Sequence, residues 1–461
     1  MSTPFEYAEA NRQRFFEEYL HLLRIPSIST QPDHAADVLR AAEWLQTMML
    51  NIGMDKAEVI LMPAGRCPLV LGEWQGAGES AATVLIYCHY DVQPAEVKDG
   101  WDTEPFEPTI QGERLYCRGA VDSKLHVMSQ LKAVESLLAQ EEKPKVNIKV
   151  ILEGEEESGS ENINAFIDHH PERLKADIAV LSDGFVLDRD QPSMMYGLRG
   201  TNSMELFVYG PSSDLHSGHW GGSVHNPIQA LTEILAQMHD ENGYVTVPGF
   251  YDDVVEMEAE ERALLAKIEP AIQEEWKQVV DAPQPYGEIE YNTIERIGAR
   301  PTLEFNGIYG GYTGDGFKTV LPAYALAKIS CRLVPDQGPQ ETLQKIVDYI
   351  HQIAPPSVRV EIKPRAFGGA AIILDRNSIA MQSGRAAYTF GWGNDPLFER
   401  VGGSIPIAAS IMKVVDQVVI MGYGLKSGHA HGPNENIYVD SFYKGINTAI
   451  KFIEEVGNRT R

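Results

Sequence analysis

Cysteine, basic charge and long apolar runs are all scarce in this chain, and each shortage removes a class of function. Its four cysteines, Cys67, Cys88, Cys117 and Cys331, form no CxxC pair in 461 residues. That argues against a structural zinc knuckle or a disulfide scaffold, and the expected setting is the reducing cytoplasm. Lys and Arg number 39 against 65 Asp and Glu, a formal net charge of −26. Such a field repels nucleic acid and anionic membrane surfaces, so neither is expected as a partner. No apolar run approaches the length of a membrane span. The first residues, MSTPFEYAEANRQRFFEEYL, read as an amphipathic helix rather than a basic start followed by an apolar signal. GxSxG and HExxH are absent, which disfavours a serine hydrolase of that type and a zincin. The glycines of GGYTGDG (310–316) lack the following helix and the Lys-Ser/Thr of a phosphate loop, so they read as a turn between strands.

What remains is an ordinary globular composition, 43% hydrophobic and 23% charged, in a chain long enough for two domains. Apolar runs at 82–88 (ATVLIYC), 146–152 (VNIKVIL) and 176–181 (ADIAVL) read as buried strands. Helical segments near 125–140 and 161–174 separate the later ones. Continuous apolar strands alternating with helices predict an α/β fold, a mostly parallel sheet sandwiched by helices. The pattern changes near Arg199. Strands at 202–209, 302–308, 324–333 and 358–363 interleave with helices at 226–239 and 340–353, and an acidic, helical stretch covers 252–282. The order β-α-β-β-α-β is that of a ferredoxin-like α+β domain. The reading is a catalytic domain over 1–198 and 373–461, interrupted by an inserted domain over 199–372.

Candidate ligands collect where the predicted parallel strands end. His89 and Asp91 follow the strand ending at Cys88, Glu155-Glu156-Glu157 follow the one ending at Leu152, and Asp183 follows the one ending at Leu181. The carboxyl ends of parallel strands share one edge of a sheet, and sites form there. Asp122, in a loop before a helix, and His431, after the inserted domain, can join them. Taken singly, each has an ordinary reading as a cap, a turn or a solvated loop; their joint placement points to a metal centre. Zinc takes imidazole and carboxylate ligands, a two-metal site needs a shared carboxylate, and hydrolysis needs a free carboxylate as base. Glu156 and Glu157 are neighbours, so one can bind while the other faces water. Asp91 can accept the second imidazole N–H of His89. The pattern alone does not fix the bridge, nor does it choose between His429 and His431.

At these residues the chain is similar to the two-metal aminoacylase/carboxypeptidase/dipeptidase metallopeptidases, and within them to the cytosolic nonspecific dipeptidase and carnosinase branch. The series that carries the likeness is CHYDVQP (88–94), WDTEPFEPTIQGERLYCRGAVDSK (101–124), EGEEESGSE (153–161), LSDG (181–184), DLHSGHWGG (214–222), CRLVP (331–335), GGSIP (402–406) and HGPNE (431–435). The resemblance implies a dizinc exopeptidase-like fold with an inserted lid and dimerisation domain, and a metal-dependent hydrolase of dipeptides or other short peptides. It implies two divalent ions per subunit, zinc first, with manganese or cobalt accepted by the same ligands. Asp122 would bridge them, His89 and Asp183 would complete one site, and Glu157 and His431 the other.

The resemblance further implies Glu156 as general base and proton donor, with Asp91 supporting His89. In a homodimer, His216 would act on the partner's site. Arg332 and Gly403, Ser404 and Ile405 would hold the substrate carboxylate, with Asn306 and Thr319 as further contacts. Closure over substrate would use hinges near Gly197–Gly200 and Gly368–Ala371. Release of a C-terminal residue from a longer acyl-peptide, or deacylation of an N-acyl amino acid, is the rival activity on this scaffold; a non-catalytic metal-binding dimer is the third reading. The chain departs from the family pattern at Cys117, Ser123 and Leu125, where glycine, an acidic residue and glycine are usual. None of the three is a ligand, so the departures bear on substrate fit rather than on metal binding.

Overall fold

The computed structural model describes residues 3–62, 67–280, 282–367, 369–403 and 405–460. In chain order, the strands needed below are β1 (Lys56–Ile60), β2 (Leu69–Trp74), β3 (Thr83–His89), β4 (Asn147–Glu153), β5 (Ala176–Val186), β6 (Ser193–Leu198), β7 (Gly200–Tyr209), β8 (Thr302–Gly310), β9 (Tyr324–Leu333), β10 (Arg359–Phe367) and β11 (Val415–Leu425). The helices are α1 (Arg12–Leu23), α2 (Lys124–Leu138), α3 (Pro227–Ala236), α4 (Pro339–Ile353), α5 (Ile379–Trp392) and α6 (Val439–Arg459). The chain divides into two compact units. Unit 1 comprises Met1–Tyr196, Leu374–Phe398 and Pro406–Arg461; unit 2 comprises Gly197–Ile373 and Glu399–Ile405. Residues 399–405 thus group with the inserted unit, although they lie in the segment read as catalytic domain.

Unit 1 is built on a mixed sheet in the order β1-β2-β4-β3-β5-β11-β6. The four central strands are parallel, whereas β1, β2 and β6 pair antiparallel at the edges, so only the centre matches the mostly parallel sheet expected. β3 is buried at every position from Val84 to His89, as a strand covered on both faces must be. α2 is buried at all of its positions, including Lys124, His126, Gln130 and Lys132. Those polar groups are tied down: Lys124 Nζ donates to the carbonyls of Leu22 (3.1 Å) and Ile25 (2.6 Å), within and just past the end of α1. A central helix carrying so many satisfied polar groups gives up some burial energy for a fixed position.

Unit 2 contains the antiparallel sheet β8-β9-β7-β10, the strand order of a ferredoxin-like fold. β7 alternates strictly, with Asn202, Met204, Leu206 and Val208 buried and the intervening residues partly exposed. Met204, Leu206 and Val208 pack with Leu231, Ile234, Ile346 and Ile350 of α3 and α4. α3 starts at Pro227 because Asn226 caps it, accepting from the Ile228 N–H, and proline fits a first helical turn.

Candidate metal centre

The carboxyl ends of β3, β4 and β5 converge in unit 1, and each delivers a polar group. His89 is the last residue of β3 and is buried. Its Nδ1 lies 3.2 Å from the Asp91 carbonyl oxygen and 3.3 Å from Asp91 Oδ1, both acceptors, so the proton sits on Nδ1. The Nε2 lone pair then faces outward, 3.0 Å from Asp122 Oδ1 and 3.3 Å from Asp183 Oδ1. A lone pair facing two carboxylate oxygens is repulsive unless a cation lies between them or the ring takes a second proton.

The same arrangement recurs beside it. His431 Nε2 lies 3.2 Å from Asp122 Oδ2 and 3.0 Å from Glu157 Oε2. Two groups of ligand atoms, His89-Asp122-Asp183 and Asp122-Glu157-His431, each fall within 4.8 Å of one another and share Asp122. Glu157 Oε1 is buried without a hydrogen-bond partner, a carboxylate oxygen that a cation would satisfy. The donor set of imidazoles and carboxylates therefore fits a pair of divalent cations. His429 turns away, with Nδ1 3.3 Å from the Pro433 carbonyl oxygen.

The electrostatics of the ligand set express the same repulsion. Burial pushes Asp122 upward, but hydrogen bonds from His431 and His89 overcome it and hold the carboxyl well below its usual range. His431 is raised to about 10, chiefly by Asp122 and then Glu157. Glu156 is raised to about 8 by burial, with Asp183, Glu157 and Asp91 adding to the rise against His89. Asp91 organises both halves of the rim: its two oxygens accept the backbone N–H groups of Glu156 (3.2 Å) and Glu157 (3.1 Å).

Two supporting residues were not among those read from the sequence. Gln93 donates from Nε2 to Glu157 Oε2 at 2.8 Å. Glu435, fully buried, accepts from Arg118 Nη1 (2.6 Å) and from the N–H groups of Gly119 (2.9 Å), Val121 (2.7 Å) and Asp122 (3.0 Å). One carboxylate thus fixes the whole turn that presents Asp122. Gly119 sits at φ +83°, and a Cβ there would lie 2.8 Å from Val92 Cγ1, so the turn needs glycine. The loop bearing Glu435 also bears His431, and both His431 and Asn434 adopt positive φ without being glycine. The signal was present in HGPNE, where a glutamate follows the histidine by four residues, but its spacing alone does not disclose a partner at 118–122.

The other expected site residues lie in unit 2. His216 is exposed; its Nδ1 accepts from the Gly218 N–H at 3.0 Å, which leaves the proton on Nε2, and its ring stacks on His219 at 4.6 Å. The Thr319 carbonyl accepts from Ser217 N–H at 3.0 Å, so Thr319 neighbours His216. Arg332 pairs with Thr201 across β9 and β7, and Asn306 sits at the irregularity in β8 between Phe305 and Gly307. The Gly403 carbonyl accepts from Arg199 N–H at 3.2 Å, next to Gly402 and two residues before Ile405. Ser404 and Gly368 lie outside the described residues.

Comparison with known proteins gives this geometry a context. The family model described as Peptidase family M20/M25/M40 matches residues 85–455. The Cys-Gly metallodipeptidase dug1 of Schizosaccharomyces pombe is 31% identical over 473 residues, covering 98% of each chain. The human Beta-Ala-His dipeptidase is 28% identical, covering 98% of this chain and 92% of that one. Among solved structures, an M20 family metallo-carboxypeptidase, Sso-CP2 from Sulfolobus solfataricus, superposes with a TM-score of 0.82 at 31% identity, covering 96% of this chain and 99% of that one.

Proposed function

This chain belongs to peptidase family M20/M25/M40, and from that premise we propose that it is a metal-dependent exopeptidase that hydrolyses the peptide bond of dipeptides or other short peptides. The observation that carries the reading is the Asp122 carboxylate, with one oxygen 3.0 Å from one imidazole and the other 3.2 Å from a second, and with a further carboxylate at each side. His89, Asp122 and Asp183 would hold one cation, and Asp122, Glu157 and His431 the other. Zinc is the first choice for these ligands, with manganese and cobalt as substitutes. Bound there, such ions supply Lewis acidity to a carbonyl oxygen and bring the acidity of water close to neutrality.

The chain's own residues do the rest. Glu156, placed beside the ligands but outside both groups, takes the proton of the attacking water as the new C–O bond forms, and returns it to the amine nitrogen as the C–N bond breaks. Asp91 keeps His89 in the Nδ1–H tautomer and fixes the backbone of Glu156. The same reading gives Arg332 and Gly403, Ser404 and Ile405 the substrate carboxylate, through guanidinium and backbone N–H groups, with Asn306 as a further contact. It gives His216, whose Nε2 carries the proton, the developing oxyanion in the partner's site of a homodimer. The Cys-Gly and Beta-Ala-His dipeptidases among the relatives support the dipeptide assignment. All four cysteines are buried and none is in a disulfide, in keeping with a cytoplasmic enzyme. No helix among the described residues is long and apolar enough to cross a membrane.

The likeness to a metallo-carboxypeptidase supports a second reading, release of C-terminal residues from longer peptides. Metal analysis of the purified chain, joined to amino-acid release from dipeptides, longer peptides and N-acetylated amino acids, tests both. Two metal equivalents and preferential dipeptide cleavage are expected. Turnover confined to longer peptides would transfer the assignment to the second reading, and a chain with neither metal nor turnover would end both.

A further inference from the structure

α2 begins two residues after Asp122, and its inward face carries polar groups where apolar packing would be ordinary. His126 and Gln130 are one turn apart and almost fully buried, at 1% exposure each. The Tyr423 N–H, on β11, donates to His126 Nε2 at 3.1 Å. That donor is available because the pairing of β11 with β5 shifts register between Gly422 and Gly424, taking Tyr423 out of the ladder. With Nε2 accepting, the ring proton is on Nδ1, which donates to Ser123 Oγ at 3.2 Å. Burial holds the ring neutral, lowered to about 4. One turn on, Gln130 Nε2 donates to Tyr423 Oη at 2.8 Å and to Ser182 Oγ at 3.2 Å.

These five side chains and one backbone group form a polar seam whose ends are telling. Ser123 is the neighbour of Asp122, and Ser182 is the neighbour of Asp183. The seam therefore runs from the segment that presents one ligand of His89's group to the segment that presents the other. It is costly: Gln130 Oε1 is buried with no partner, and a half-satisfied polar network is worse for stability than an apolar core. The strands are close here as well. A Cβ on Gly422 would lie 1.8 Å from the Gly184 carbonyl carbon and oxygen, so nothing bulkier than glycine lets β11 approach the Asp183-Gly184 bend. Asp122 has its own anchor in Glu435; Asp183 has no hydrogen bond to a residue outside the ligand group in the described structure beyond its strand.

We propose that the Ser123-His126-Gln130-Ser182-Tyr423 seam sets the spacing of Asp183 against Asp122, and that His126 and Gln130 are positioning residues for one of the two metal sites and not the other. Because Glu435 holds Asp122 independently, loss of the seam releases Asp183 and leaves the Glu157-His431 side in place. The inference rests on the two-metal reading above.

The test separates positioning from general stability, because positioning weakens one zinc site alone whereas general loosening weakens both. His126→Leu and Gln130→Met are made in the full chain, stripped of metal, and titrated with zinc by calorimetry; unfolding of the metal-free forms is followed in parallel. The metal-free variants are expected to lose some stability, because His126→Leu leaves the Tyr423 N–H without its acceptor and Gln130→Met leaves Tyr423 Oη and Ser182 Oγ without their donor, a loss offset in the second case by removal of the unsatisfied Gln130 Oε1. One of the two zinc sites is expected to weaken by about 10–100-fold while the other holds. Equal weakening of both sites in step with lost stability, or no weakening at either, would overturn the proposal. If His126→Leu does not fold, the milder Gln130→Met decides by the same criteria. A wild-type chain that takes up fewer than two zinc ions would overturn the two-metal reading and the seam's role with it; two normal sites untouched by the variants would overturn the seam alone.

Discussion

Glutamine at position 435 keeps the side chain's length and removes its charge, which makes Glu435→Gln a measure of how far the metal centre depends on one buried carboxylate. In the wild type, four donors point at its two oxygens, one from the Arg118 guanidinium and three from the backbone of residues 119–122. Burial pushes the carboxyl up and Arg118 pulls it back. Glutamine offers one oxygen, and its amide turns N–H groups toward N–H groups, so two of the four donors lose their acceptor. Each buried donor left unsatisfied costs about 1–3 kcal/mol. Arg118, itself 2% exposed, loses its counter-charge, a change in the range of about 3–5 kcal/mol for a buried pair. The losses overlap, so roughly 3–5 kcal/mol in all is the expectation, equivalent to a fall of roughly 6–20 °C in the melting of unit 1 at about 2–4 °C per kcal/mol.

The turn that carries Asp122 should loosen with it, and metal affinity should fall by about 10–100-fold at both sites, since both use Asp122. Differential scanning calorimetry of the metal-free chain and zinc titration together read these quantities. An Glu435→Gln chain that melts within a degree or two of wild type and binds two zinc ions as tightly would refute the clamp.

Three further outcomes follow from the same geometry. Glu156→Gln should retain both metals and lose about 10²–10⁴ in turnover, read by metal analysis beside dipeptide cleavage; an active Glu156→Gln chain would sink the base assignment. His216→Ala should be inactive as a homodimer yet regain activity when mixed and re-equilibrated with Glu156→Gln chains, because one site then combines Glu156 from one chain with His216 from the other; no recovery would remove His216 from its partner's site. Chelation should lower the melting temperature of unit 1, because each ion at about 100 times its dissociation constant adds about 2.7 kcal/mol; melting that is the same with chelator and with added zinc would count against occupied sites.

Much of unit 1 could be read from the chain because parallel strands buried on both faces appear as unbroken apolar runs, and the run ATVLIYC, read as ending at Cys88, forms a strand that ends one residue later at His89. The reading fell short where pairing, not composition, makes the strand. Ser182-Asp183-Gly184 looks like a turn, yet β5 runs on to Val186 because β11 pairs with it beyond the bend. β11 itself went unread: Asp416 and Gln417 near its start and the glycines at 422 and 424 blur its periodicity, and the glycines are there for close approach. β1 and β2 add antiparallel edges that no local signal distinguishes from the parallel centre. The acidic stretch at 252–282 is helical in two pieces, Ala259–Leu265 and Glu269–Val279, with Pro270 suited to the first turn of the second. In the same way, the amphipathic helix read over the first residues breaks at Asn11, which ends Pro4–Ala10 and precedes α1.

At the site, residue types and strand ends brought the ligand candidates forward. The clamp by Glu435 and the contact of Gln93 depend on residues 64 or more positions apart meeting in space, which spacing along the chain cannot convey.

The point where the inserted unit leaves unit 1 has a practical meaning. Tyr196, the last residue of unit 1 before the insertion, accepts at its carbonyl from the N–H of Leu374, the first residue after it, at 2.7 Å. The two cut ends are therefore already neighbours, joined as closely as the two sides of a hairpin. Insertions are tolerated where chain ends lie together, so this is a grafting position. Swapping the segment between Tyr196 and Leu374 for that of another member of the fold would ask unit 1 for no new span of chain, provided residues 399–405, which group with the inserted unit, are exchanged alongside it.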